Sequence, residues 1–164
     1  MGVVPEDWTT RLAAAIGAAV REYTSWRLRG KQVAAFDVGC FPWNGSVELS
    51  LLTAEELDSD PVLWEPSEVA AWHHYNFAVG LGSWDPAAAL GRAMSDSYQA
   101  ADECDRSVTV DTFLRACAAA VACPEVVAAL DDLDRSSRFQ IRVTHPDDGR
   151  EFWPAREASQ DRLR

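Results

Sequence analysis

A chain of 164 residues and 18.1 kDa is one domain's worth of polypeptide, and an apolar share of 48% is enough for a core, which excludes a wholly disordered chain. No apolar run approaches the roughly 20 residues of a membrane-spanning helix, and the start, MGVVPEDW, has no basic segment leading into an apolar one, so a cytoplasmic protein is expected. Fifteen basic against 26 acidic side chains leave a net charge of -11, which argues against nucleic acid or an anionic membrane surface as partner, since Lys and Arg hold both.

The first strong pattern is helical. Pro5, Glu6 and Asp7 precede Trp8, Leu12, Ile16, Val20 and Tyr23, which recur at three or four residues, with Arg27 and Arg29 near a terminal Gly30. Acidic groups at the start, basic groups at the end and a glycine able to turn left-handed predict a helix over about 6–29. The period then shortens to two. Lys31–Val38 and Ser46–Thr53 read as strands around Asn44-Gly45, the pair favoured in a tight hairpin turn. Val47, Leu49 and Leu51 alternate with Glu48 and Ser50, so one face of the second strand is expected to be buried and the other open to water.

Thr53-Ala54-Glu55-Glu56 can cap a helical turn, and Asp58-Ser59-Asp60-Pro61 is a loop. Residues 68–77 read equally as a short helix or a third strand. Gly80-Leu81-Gly82 lacks the Lys-Ser/Thr of a phosphate loop. Asp85-Pro86 starts a helix running to about Glu103, Asp111 caps another that turns Phe113, Leu114, Cys117 and Val121 inward, and Pro124 opens a third carrying Val127, Leu130 and Leu133. Arg138–Thr144 alternates as a closing strand, Asp147-Asp148-Gly149 is a turn, Glu151–Trp153 can pair back, and a polar tail occupies about 155–164. The sum is a single α+β domain: a small, mostly antiparallel sheet covered on one face by three to four helices.

This order of elements resembles the uncharacterised bacterial family catalogued as domain of unknown function 4303. The matching residues are Leu52-Thr53-Ala54-Glu55-Glu56, Trp64-Glu65-Pro66-Ser67-Glu68 and Phe139–Val143, whereas Pro42-Trp43 and Trp72-His73-His74-Tyr75 depart from it. The resemblance implies the α+β topology and carries no catalytic residue. Small acidic proteins of this look include immunity proteins, which bind and neutralise a toxin.

Between Gln32 and Gly91 the chain has nine acidic groups and no Lys or Arg, and four of its seven tryptophans fall between 43 and 84. Indole rings beside uncompensated carboxylates suit an interface that captures Arg or Lys. The leading expectation is therefore an immunity-like interaction protein, with a cationic protein partner meeting Trp43, Asn44, Glu48, Glu55, Glu56, Trp64, Trp72 and His73. A solubilising acidic surface over a tryptophan-rich core explains the same composition. The alternative function is a small-ligand or carbohydrate pocket walled by Trp43, Trp64 and Trp72. Asp37 and Glu48, on neighbouring hairpin strands, would supply the two acids of glycoside cleavage, a separation such strands also reach by chance. No Gly-x-Ser-x-Gly elbow or His-Glu-x-x-His helix is present, and neither Cys40, Cys104, Cys117 and Cys123 nor the adjacent His73 and His74 have metal-ligand spacing, so no cofactor is expected.

Overall fold

Helix α1 (Trp8–Arg27) forms because Trp8, Leu12, Ile16, Ala19 and Val20 fall on one side of a 3.6-residue repeat and all are buried. The computed structural model describes residues 4–154, so the polar tail expected at 155–164 lies outside them. Gly30 ends the helical region at φ +76°, the left-handed conformation expected of it. The Trp8 ring packs edge-on to Phe113 with centroids 5.1 Å apart, and its Nε1 donates to the Leu90 carbonyl at 3.0 Å. One side chain thus ties the first helix to two later ones.

Strands β1 (Val33–Phe41) and β2 (Ser46–Thr53) form the expected antiparallel hairpin. Its connection is wider than a two-residue Asn-Gly turn: the Phe41 carbonyl accepts from the amides of both Asn44 and Gly45, and only Gly45 is left-handed, at φ +71°. The loop lies on a later helix at Gly91, where any side chain would run into the Gly45 carbonyl oxygen. This close approach pulls the hairpin tip inward.

Register in β1 breaks between Val33 and Ala35. The extra residue lets Val33 and Phe36 both face the main core, after which Val38 and Cys40 continue on that side. Ala35, Asp37, Gly39 and Phe41 consequently point to the opposite face, beside Glu48, Ser50 and Leu52 of β2. That second face is not simply wet. Ala34, Ala35, Leu52, Leu57 and Trp72 make a smaller apolar cluster there, and Ser50 is buried.

The chain from 54 to 72 covers this face in short pieces, and Phe77, Ala78 and Trp84 beyond it join the main core. Helix α2 (Ala54–Ser59) opens with a reciprocal cap, Thr53 Oγ1 accepting from the Glu56 amide and Glu56 accepting from the Thr53 amide, as the sequence suggested. Tight 3₁₀ turns follow at Pro61–Trp64, Pro66–Ala71 and Gly82–Trp84. The undecided 68–77 segment proves to be part turn and part bridge: after Ala71 the chain straightens, and His74 pairs with the outer edge of β2 at Leu51.

Helices α3 (Pro86–Ala100), α4 (Arg106–Val121) and α5 (Pro124–Asp131) cover the main face together with α1. Three local expectations are corrected. Asp85 is helical and makes no side-chain cap bond. Asp111 lies inside α4, which starts five residues earlier, because Thr109 and Val110 are already part of the buried stripe. Val127 faces solvent, and α5 buries Val126, Ala129 and Leu130 instead.

Strand β3 (Arg135–Arg142) runs parallel to β1, giving the order β2-β1-β3. The α+β architecture stands, and the sheet is mixed, with one antiparallel and one parallel pair. Arg142 sits opposite Asp37 in the parallel register. Beyond it Thr144 bridges Glu151, so the 151–153 segment does fold back as expected. Among the described residues no single helix is long and apolar enough to cross a membrane.

Candidate functional site

On the second face the sheet is only partly covered, and a cleft of about 450 Å³ opens between the strands, the 66–70 turn and the 144–149 loop. Its floor is Asp37, Gly39, Glu48 and Ser50, and its walls include Phe41, Pro66, Ser67, Val69, Tyr75, His145 and Asp147. The volume lies within the range of small-ligand sites. Asp37 opposes Ser50 and Gly39 opposes Glu48. The two acids are therefore diagonal cross-strand neighbours, with their Cβ atoms about 7 Å apart.

Their environments differ. Asp37 is only 7% exposed, and no described residue donates it a hydrogen bond. Burial drives its pKa up to about 7, Arg142 opposes that rise and Glu48 adds to it. Glu48 accepts from the Tyr75 hydroxyl at 2.6 Å on Oε2 and from Ser46 Oγ at 3.3 Å on Oε1. The same bond, with burial, lifts the Tyr75 phenol to about 12, so Tyr75 is a fixed donor at neutral pH. The cleft thus pairs a carboxyl near its titration midpoint with a hydrogen-bonded carboxylate. General acid–base chemistry uses such an unequal pair.

Arg142 is held beside this floor. It is 7% exposed, its guanidinium stacks 4.5 Å from the Trp64 ring centre and 5.8 Å from that of Trp72, and its Nη1 has no partner. Trp72 is anchored by its Nε1, which donates to the Leu63 carbonyl at 2.8 Å. Arg142 makes no ion pair with Asp37 among the described residues, so the charge of Asp37 is only partly compensated. At the opposite wall, His145 Nδ1 accepts from the Asp147 amide at 3.2 Å, which leaves Nε2 to carry the proton of the neutral ring.

The eight residues singled out from the sequence fall into three places. Glu48 alone lines the cleft. Trp43 and exposed Asn44 occupy the hairpin tip, but Trp43 is drawn against Phe41 and Tyr98, at ring distances of 5.7 and 6.4 Å, where an outward-facing ring was expected. Glu55, Glu56, Trp64, Trp72 and His73 surround α2. There Glu55 pairs with Lys31 at 3.2 Å, and Glu56 Oε1 accepts from the His73 amide at 2.6 Å. Burial alone would raise Glu56, but the Thr53 and His73 donors hold it below the usual carboxylate value. Neither Trp43, Trp64 nor Trp72 walls the cleft, whose rings are Phe41, Tyr75 and His145.

Nearby, His74 is buried and accepts or donates at Nδ1 with the Tyr23 hydroxyl, 2.7 Å away. Burial lowers its pKa against the pull of Glu56. Cys40 and Cys117 are buried, Cys123 is half-buried and Cys104 is exposed. Among the described residues no three His, Cys, Asp or Glu side chains gather as metal ligands.

The missed residues are Tyr75, His145 and the weight of Asp37. A signal for Asp37 existed, since it is the one charge in the apolar run Val33–Cys40. No family model matches the chain, and no curated protein or solved structure matches it either.

Proposed function

We propose that the protein binds a small polar ligand in the cleft over the sheet, with Asp37 and Glu48 as the groups that meet it and are able to exchange protons with it. The observation that carries this reading is Asp37 itself. Its carboxyl is largely buried, faces the cleft and receives no hydrogen bond from the described residues, which leaves it open to donors that a ligand would bring. Ser50, Tyr75 and His145 add donors and acceptors around it, and Val69, Pro66 and Phe41 supply apolar wall. The family resemblance assigns no residue role and leaves the choice to this site.

The test is a chemical-shift titration of the labelled protein with methyl glucoside, N-acetylglucosamine, agmatine and citrate. At least one compound is expected to move the amides of Gly39, Glu48, Ser67 and Gly149 together, and Glu48→Gln is expected to weaken that response about tenfold. Silence of all four amides toward every compound overturns the reading. The reading left standing is then the acidic surface docking a cationic protein in the immunity-like manner. Exposed Asp60 and Glu65 beside exposed Val62 support it, although Glu55 and Asp58 on the same side already pair with Lys31 and Arg138.

A further inference from the structure

We infer that the group recognised in this cleft is an organic cation, a guanidinium or primary ammonium on a short apolar stem, placed between the carboxyls of Asp37 and Glu48. The inference rests on the cleft being a ligand site and adds the chemical class of the ligand.

The charged groups facing Asp37 come from every element around it. They are Glu48 from β2, Arg142 from β3, the Tyr75 phenol from the segment bridging β2, and His145 with Asp147 from the 144–149 loop. Of these, Glu48, Tyr75, His145 and Asp147 lie in the cleft lining, where there is no Lys or Arg. Arg142 lies beside Asp37 on the same face of the sheet but is stacked on Trp64 and Trp72 and makes no ion pair with Asp37 among the described residues. An anion entering the cleft would meet the acids Glu48 and Asp147 in the lining, while Arg142, the cation facing Asp37, is stacked on Trp64 and Trp72 outside it. A cation meets the Glu48 carboxyl, which accepts from Tyr75 and Ser46, and a second acid, Asp37, that gives up its proton in response. A metal ion fits poorly, because no three ligand side chains cluster among the described residues. Guanidinium and ammonium bring the donors that Asp37 lacks, and the Phe41 and Val69 walls suit a methylene stem.

Binding then displaces the Asp37 proton. The carboxyl is half-protonated at about 7 in the free protein. A cation that needs the ionised form therefore binds more tightly as pH rises, by about tenfold between pH 6 and pH 8 for one displaced proton.

The deciding experiment titrates the full chain with agmatine at both pH values, following the amides of Gly39 and Gly149 and the Asp37 side-chain carboxyl carbon. The peptide acetyl-Gly-Arg-Gly-amide serves as a second probe, to distinguish a free amine from an arginine side chain. Methyl glucoside is the neutral control. The expected result is that agmatine or the peptide binds about tenfold more tightly at pH 8, drives the Asp37 carbon toward its ionised shift, and loses affinity in Glu48→Gln. Asp37→Asn should abolish the pH dependence, and Glu48→Gln keeps the test informative if that variant does not fold. Equal affinity at both pH values overturns the inference. So does binding of methyl glucoside alone, which would leave the cleft itself standing as a ligand site. Silence toward all three probes overturns the inference, and the cleft reading falls with it only when N-acetylglucosamine and citrate are silent as well.

Discussion

The two faces of this three-stranded sheet are built from alternate residues of the same strands and end in opposite states. On the main face Phe36, Val38, Cys40, Leu49 and Leu51 are fully buried under four helices. On the other, Asp37, Glu48, Ser50 and Arg142 share the surface with a small apolar cluster. The first face is covered by long elements with continuous apolar stripes. The second is covered by one six-residue helix and 3₁₀ turns, which leave a gap. The packed core and the polar cleft are thus separated across the thickness of one strand, because side chains alternate at every residue.

The contrast can be broken most directly at Phe36. Phe36→Ala removes a fully buried ring from the main face and is expected to cost about 3–5 kcal/mol by denaturant unfolding, with little dependence on pH. A cost below about 1 kcal/mol would show that this face does not carry the fold.

Across the sheet, Asp37 is expected to behave in the opposite sense. Its native carboxyl keeps a proton up to about 7, whereas the free side chain loses it near 3.8. Between these values the folded state binds more protons, so this group's contribution falls as pH rises and levels off above the native value. Asp37→Asn should therefore gain stability over the native protein from pH 4 to 8, by as much as about 4 kcal/mol at the upper end. Paired unfolding curves at the two pH values check this, and a constant difference between the proteins would refute the burial of an uncompensated acid.

The smallest effect sharpens the comparison at the junction of the two regions. Thr53→Ala removes the reciprocal cap of α2 and should cost about 1 kcal/mol. Because Glu56 also holds the His73 amide, the His73 and His74 resonances should move while those of Phe113 and Leu114 stay in place.

Local patterns made much of the main face legible. The stripe from Trp8 to Val20 and the alternation of Val47, Leu49 and Leu51 each state which side is apolar, and Gly30 states where the helix must turn. What was not legible depends on partners far along the chain. The parallel pairing of Arg142 with Asp37 joins residues more than a hundred positions apart, and neither strand's alternation encodes direction. The break at Ala34 and Ala35 is invisible in a run where every neighbour is apolar, yet it sets which face Asp37 occupies. Trp43 misled because a turn residue is ordinarily lifted away from the core, and only the glycine pair Gly45 and Gly91 lets this turn settle onto α3. Asp37 and Glu48 were recognisable as two acids on paired strands. Tyr75 and His145 were not, since each reaches the cleft from a segment with no regular repeat.

Strand β3 ends the sheet, and an open strand margin is a template on which other chains can stack. Here the margin is a poor template. Arg138 directs its own amide at Ser136 Oγ and its guanidinium at Asp58, while Arg135 is engaged with Asp131. A second molecule attempting to extend the sheet would meet irregular spacing and a row of arginines. Clearing those arginines would trade colloidal safety for a smoother ribbon, with fibril growth as the cost.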